Sequence, residues 1–340
     1  MDINYASQIC VNVKDHQPEK RHLQLVRLYS TQSQKISKDF YKSANKLLKG
    51  MHFLTFGFLV VGVPVVVVVA CFIFLRWVEC KLVFRIPRNK PLFEDAALTL
   101  KNTVENIEAR QATLAGKMWL MWIMFHQVRY FINRKPSHKG IVVVFHGNAC
   151  VASDMVEFVR QAEKANMACA LVEYPGYADQ SQRLMQVTQV TQYEVLENCL
   201  LAFDHIVKNN TRLAQRVVVV GQSLGTCVAT YVASEREVHR LVLVSCFPSI
   251  SHVANIPALG FLLKNNFKAS QWAPHVKAQV FIVQGQLDKL VPMNLCLEQA
   301  KNFPNSDTRN VHVVQHADHN NITKQGAFWV LFESFIRMAP

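Results

Sequence analysis

Residues 216–234 read RVVVVGQSLGTCVATYVAS, and few folds can house that order of residues. Four successive valines suit a strand buried on both faces, because β-branched side chains pack well on a pleated surface and a half-exposed strand would alternate with polar residues. The small and apolar residues after Leu224 suit a helix. Gly221-Gln222-Ser223-Leu224-Gly225 joins the two. In a strand, turn and helix, this G-x-S-x-G spacing lets the backbone reverse tightly and projects the serine hydroxyl at the end of the sheet. The competing reading is a glycine turn that does no more than pack a helix close to a strand.

The rest of the chain repeats the same alternation. From Gly140 onward IVVVFH, ACALVEY, RVVVVGQ, LVLVSC, AQVFIVQ and NVHVVQ are short apolar runs at strand length. Between them lie helical patterns such as YEVLENCLLAFDHIVKN, which puts Val195, Leu196, Cys199, Leu200, Phe203 and Ile206 on one helix face. Upstream, VENIEARQ and KMWLMWIMFHQ read as two strands of a hairpin turning at Ala115-Gly116. Buried strands alternating with helices predict an α/β fold, a mostly parallel sheet with helices on both faces. Sites in such sheets lie at the carboxyl ends of the strands.

Chemistry is sought there. A serine hydroxyl attacks only when a base takes its proton, and that base needs an acid to orient it. In this architecture the chain order is serine, acid, histidine. Asp288, in VFIVQGQLDKLVP, follows a strand run downstream of Ser223, whereas Asp179 and Asp204 precede the serine and Asp307 precedes the last strand. Glu298 falls in a helical pattern and is the alternative acid. The last strand run leads into VVQHADHNNI, with His316 at the end of the strand and His319 in the turn before the final helix, a position that favours His319 as base. Oxyanion donors are expected from the backbone N–H groups of Asn148, in the loop after the first parallel strand, and Leu224, the residue after the nucleophile. His146, upstream of the serine and before a glycine, reads as a residue that shapes that loop. His146, His316 and His319 lack a carboxylate or thiolate at zinc spacing, so neither a metal nor a cofactor is expected.

Charge is distributed unevenly. Residues 1–50 hold nine Lys/Arg against four Asp/Glu, residues 76–139 twelve against five, and residues 140–340 sixteen against fifteen. A nearly neutral C-terminal portion behind a basic leader argues against a nucleic-acid partner and for a membrane, whose anionic headgroups attract nearby Lys and Arg. Between the basic stretches, Phe53–Leu75 runs 23 residues without a charge. As a helix it would extend roughly 34 Å, enough to cross a bilayer, with Pro64 as a tolerated kink. Five Lys/Arg lie within twenty residues of each end, so charge bias does not orient the span. Nine cysteines, odd in number and without C-x-x-C spacing, read as reduced core residues. A glycan on the sequon Asn321-Ile322-Thr323 would crowd the site. Both features favour the cytosolic side for the catalytic domain of a single-pass membrane protein. The expected organisation is a basic segment 1–50, a transmembrane helix 51–76 and a catalytic domain 77–340, with a lid-like insertion at about 247–276.

VFHGNACVASDM, VEYPGYA, GQSLG, QGQLDKLVP and HADHNNI, in this order, resemble the α/β-hydrolase-fold serine hydrolases. The similar branch is the membrane-anchored one that includes monoacylglycerol and lysophospholipid lipases and protein depalmitoylases. The resemblance implies the α/β-hydrolase fold with a short lid, Ser223 as nucleophile, Asp288 as acid, His319 as base, and Asn148 with Leu224 at the oxyanion hole. It implies a hydrolase of acyl esters or thioesters in lipid or acylated substrates. An aminopeptidase-like amide hydrolase and an inactive membrane-tethered scaffold are the alternatives. The chain departs from the family at Gln284, usually histidine, at Ala178-Asp179-Gln180, usually glycine-x-serine, and at Asp318, usually glycine. Asp318 could raise the imidazole pKa through its charge or turn the loop by a local hydrogen bond. In the insertion, Ile256, Leu259, Phe261, Leu262 and Leu263 form an apolar set, read either as a lid face or as a packed crossover helix.

Overall fold

The valine-rich runs pair into one eight-stranded sheet. A computed structural model describes residues 38–39, 41–43, 45–50, 65–67, 69–70, 83, 90–119, 122–178, 190–304 and 311–337. The chain divides into two units, Met1–Ile73 and Phe74–Pro340. In the first, the described residues are helical and exposed. Of the predicted span Phe53–Leu75, all but Val65–Val67, Val69 and Ala70 lies outside the described residues, as do residues 1–37. Among the described residues, no helix is long and apolar enough to cross a membrane.

The second unit carries the sheet. In chain order it runs α1 (Phe93–Thr103), β1 (Ile107–Trp119), β2 (Trp122–Asn133), β3 (Ile141–Phe145), α2 (Val156–Lys164), β4 (Ala168–Glu173), α3 (Gln192–Lys208), β5 (Val217–Gln222), α4 (Leu224–Glu235), β6 (Arg240–Val244), β7 (Gln279–Gly285), α5 (Met293–Ala300), β8 (Val311–Val314) and α6 (Gly326–Arg337). The strands lie in the order β1-β2-β4-β3-β5-β6-β7-β8. β4, β3, β5, β6, β7 and β8 are mutually parallel, and the β1/β2 hairpin joins antiparallel along β4. The hairpin turn differs from the sequence expectation. β1 continues through Ala115 and Gly116, the register slips between Ala115 and Met118, and pairing resumes at Met118 with Ile123 and runs to Trp119 with Trp122. A glycine within an antiparallel strand marks a bulge as readily as a turn, which is why the two readings compete.

The uninterrupted valines follow from two buried faces. Ile141, Val143 and Phe145 join a core with Val195, Cys199 and Phe203 of α3, Cys227 and Val228 of α4, and Cys296 of α5. Their neighbours Val142 and Val144 point the other way, into a core with Phe93 of α1, Phe158 of α2, and Phe328 and Phe332 of α6. Each side chain buried in either core contributes about 1.5–3 kcal/mol, so neither face tolerates a polar alternation. Thr191 caps α3 in a reciprocal box with Glu194, which sets where that helix begins.

The parallel direction puts the loops after β3, β5, β6, β7 and β8 on one edge of the sheet. The excursion after β6 holds four short helical turns, Ile250–Val253, Pro257–Leu262, Ala269–Trp272 and Ala273–His275. It is not a packed crossover helix. Ile256, Leu259, Phe261 and Leu262 are exposed, Phe261 by 75%. Polar clamps hold its base: Asn266 Oδ1 accepts from Ser251 N–H, Asn266 Nδ2 donates to Gly260 O, and Asn265 Oδ1 accepts from Gln192 N–H at the start of α3.

Candidate active site

Ser223 lies between β5 and α4 with φ 53° and ψ −119°, a left-handed backbone that an L-residue adopts only under constraint. Two glycines impose it. A Cβ on Gly221 would lie 2.2 Å from Gly225 O, and one on Gly225 would lie 2.2 Å from Phe145 O, so backbone meets backbone where any side chain would stand. The Ser223 N–H donates to Val244 O on β6, and its carbonyl accepts from the Thr226 N–H and hydroxyl. Serine commonly caps a helix with its hydroxyl. Here the side chain makes no cap and reaches His319 instead.

His319 Nε2 is 2.8 Å from Ser223 Oγ, and His319 Nδ1 is 2.8 Å from Asp288 Oδ2. A carboxylate can only accept, so Nδ1 carries the proton, Nε2 presents its lone pair, and Ser223 donates its hydroxyl hydrogen. The other oxygen, Asp288 Oδ1, accepts from Leu290 N–H and Val291 N–H, tying the acid to its own loop. Burial pushes the Asp288 carboxyl up, but the hydrogen bond from His319 and that from the Val291 N–H outweigh it, and the net shift is downward. The arrangement is a base with a fixed tautomer aimed at a serine hydroxyl. Leu224, the first residue of α4, is buried beside it. The first N–H groups of a helix lack intrahelical acceptors and carry its positive dipole end, which suits a developing oxyanion.

Comparison with known proteins bears on the fold that carries this geometry. A family model described as serine aminopeptidase, S33, matches residues 136–274, from before β3 through the excursion, and so includes Ser223 but stops short of Asp288 and His319. The alpha/beta hydrolase domain-containing protein WAV2 of Arabidopsis thaliana is 23% identical over 186 residues, 48% of this chain and 58% of that protein. The chain thus matches little over half the length of that relative. The peroxisomal alpha-beta-hydrolase Lpx1 of Saccharomyces cerevisiae superposes with a TM-score of 0.50 at 11% identity, covering 70% of this chain and 91% of that one. An acylaminoacyl peptidase of Pyrococcus horikoshii gives 0.50 at 11% identity, covering 70% of this chain and 42% of the other. The chain has the α/β-hydrolase fold.

Within that fold the departures from the resembled family have local explanations. Gln284, where the family usually has histidine, is buried and donates from Nε2 to Val291 O, closing the loop that carries Asp288. Asp318 turns the base loop by local hydrogen bonds. Its Oδ1 accepts from the N–H groups of Asn320 and Asn321, and Asn321 Oδ1 accepts from the Asp318 N–H in return. This is the reciprocal pattern of a capping box, and it replaces glycine's conformational freedom with side-chain bonding. His316 stands apart. It is exposed, with φ 59°, and its backbone N–H donates to Gln286 Oε1. Residues 179–189, which include Asp179 and Gln180, lie outside the described residues.

The loop after β3 packs close to Ser223. A Cβ on Gly147 would lie 3.4 Å from Ser223 Cβ and 3.4 Å from Gln222 O. Sequence reasoning placed His146 as a loop-shaping residue and overlooked its partner, Glu173. His146 Nε2 is 3.1 Å from Glu173 Oε1, both side chains are buried, and the imidazole stacks on Tyr174 at 3.8 Å. The signal was present as one acid at the end of the otherwise uncharged run ACALVEY.

Proposed function

We propose that the chain is a membrane-anchored serine hydrolase that cleaves acyl esters or thioesters. The unbroken contact from Ser223 Oγ through His319 to Asp288, with both links at 2.8 Å, carries this reading. Ser223 Oγ attacks the acyl carbonyl as its proton passes to His319 Nε2. The carbonyl oxygen gains charge facing the N–H groups of Asn148 and Leu224, and the tetrahedral species collapses as His319 returns the proton to the leaving alcohol or thiol. Water, deprotonated by the same imidazole, then releases the acid from Ser223. Asp288 holds the tautomer throughout and stabilises the imidazolium that forms.

An acylated, partly membrane-embedded substrate is supported by the rim of the site. The excursion after β6 exposes Ile256, Leu259, Phe261 and Leu262, and the loop after β7 exposes Leu287 and Leu290. Residues 245–292 hold four lysines, and their one acidic residue is the buried Asp288. The uncharged stretch Phe53–Leu75 supports the anchor. The match to a serine aminopeptidase family model favours amide hydrolysis as a second reading. A fluorophosphonate probe tests the hydrolase against the inactive scaffold. The purified chain should label and Ser223→Ala should not; absence of label on the wild type, or equal label on the variant, defeats the proposal. Turnover of matched ester, thioester and aminoacyl-amide substrates then separates the two enzymatic readings.

A further inference from the structure

We propose that Glu173 is a positioning residue for the oxyanion hole, acting through His146 on the Gly147–Asn148 peptide. The inference rests on the serine-hydrolase reading and names a device within that site. It starts from a proton count. His146 Nδ1 is 2.9 Å from Gly147 O, which can only accept, so Nδ1 carries a hydrogen. His146 Nε2 is 3.1 Å from Glu173 Oε1, and two lone pairs cannot share that contact, so a second hydrogen lies between them. The pair holds two protons and no net charge, whichever atom the second sits on. That neutrality is what allows both side chains to be almost completely buried.

The remaining lone pairs of Glu173 fasten the pair to the fold. Oε2 accepts from Ala152 N–H at 2.9 Å and Oε1 from Tyr174 N–H at 3.1 Å. Tyr174 donates its hydroxyl to His146 O, and Tyr177 donates its hydroxyl to Asn148 Oδ1. Burial raises both phenols far above their usual range, so they remain donors. The carbonyls of residues 146 and 147 are therefore both held by this cluster. A trans peptide is planar with its C=O and N–H opposed. Fixing Gly147 O on His146 thus directs the Asn148 N–H away from the cluster. A Cβ added to Gly147 in the same peptide would lie 3.4 Å from Ser223 Cβ, so the peptide runs beside the serine. Glu173 holds the His146 ring through Nε2, His146 sets the tilt of the peptide through Nδ1, and the peptide carries the donor.

The test compares Glu173 variants of the full chain by fluorophosphonate labelling rate and by kcat and KM on p-nitrophenyl butyrate. Glu173→Ala strips the Nε2 partner and orphans two backbone N–H groups. Its kcat and labelling rate should fall about 100-fold, the scale of a misplaced oxyanion donor, with KM within about threefold of wild type. Glu173→Gln can donate its amide N–H to Nε2 and accept from Ala152, forfeiting only the acceptor of the Tyr174 N–H, so it should recover to within about tenfold of wild type. Glu173→Asp keeps the charge, but one methylene fewer prevents it from reaching His146 and Ala152 together. It should lose more kcat than the Gln variant, which keeps the comparison decisive even if the Ala variant does not fold. Wild-type kcat in Glu173→Ala or Glu173→Asp, or a loss carried wholly by KM, overturns the inference. A wild type that never labels overturns the serine-hydrolase reading instead.

Discussion

His319 and His316 differ by three positions and a backbone turn, and only one meets the serine. The other is exposed and turned outward. His319→Ala should therefore lower kcat by about 10⁴-fold or more, and His316→Ala by less than about threefold, both read on an activated ester. Asp288 makes a prediction about pH. Its folded pKa lies below the ordinary value, so its ionised form contributes stability that is present above the unfolded carboxyl pKa and is lost as pH falls through the folded value. Urea midpoints measured between about pH 5 and pH 2 should fall more steeply for the wild type than for Asp288→Asn. The order of serine, acid and histidine was readable in the sequence because each follows a strand run that periodicity reveals. Glu173 left a trace as the one acid of an apolar run, but its partner His146 is identified only once the chain brings β3 and β4 side by side.

At the scale of elements, the turn between β5 and α4 tolerates nothing larger than hydrogen at two positions. Gly225→Ala would drive a methyl to 2.2 Å from Phe145 O, and β3, which carries Phe145, cannot retreat because β4 and β5 flank it. Thermal denaturation should show a loss of about 3 kcal/mol or more, or no folded protein. Gly326, at the start of α6, meets nothing within 4 Å. Gly326→Ala should be neutral or stabilising by up to about 1 kcal/mol in the same measurement. The six parallel strands announced themselves because burial on both faces leaves uninterrupted apolar runs. The β1/β2 hairpin was legible as well, but its turn was not, since Gly116 suited a turn and became part of a register shift. The excursion after β6 was legible in composition but not in shape: five apolar residues at near-helical spacing fold as short turns with four of them outward, held by Asn265 and Asn266.

At the scale of the molecule, the basic excess upstream of residue 140 and the uncharged Phe53–Leu75 make the membrane proposal testable without reference to catalysis. The full chain should remain in the pellet after alkaline carbonate extraction, and deletion of residues 53–75 should release it with the fluorophosphonate reaction intact. Release of the intact chain into the supernatant would remove the anchor from the proposal and leave the hydrolase untouched. Protease protection in sealed vesicles would then show on which side residues 90–337 lie. The common direction of β3 to β8 has a last consequence. Everything that meets a substrate hangs from one edge of the sheet, and everything that holds the protein together lies between its faces. A lineage carrying this chain could rewrite residues 250–268 and acquire a new diet while inheriting its architecture unaltered.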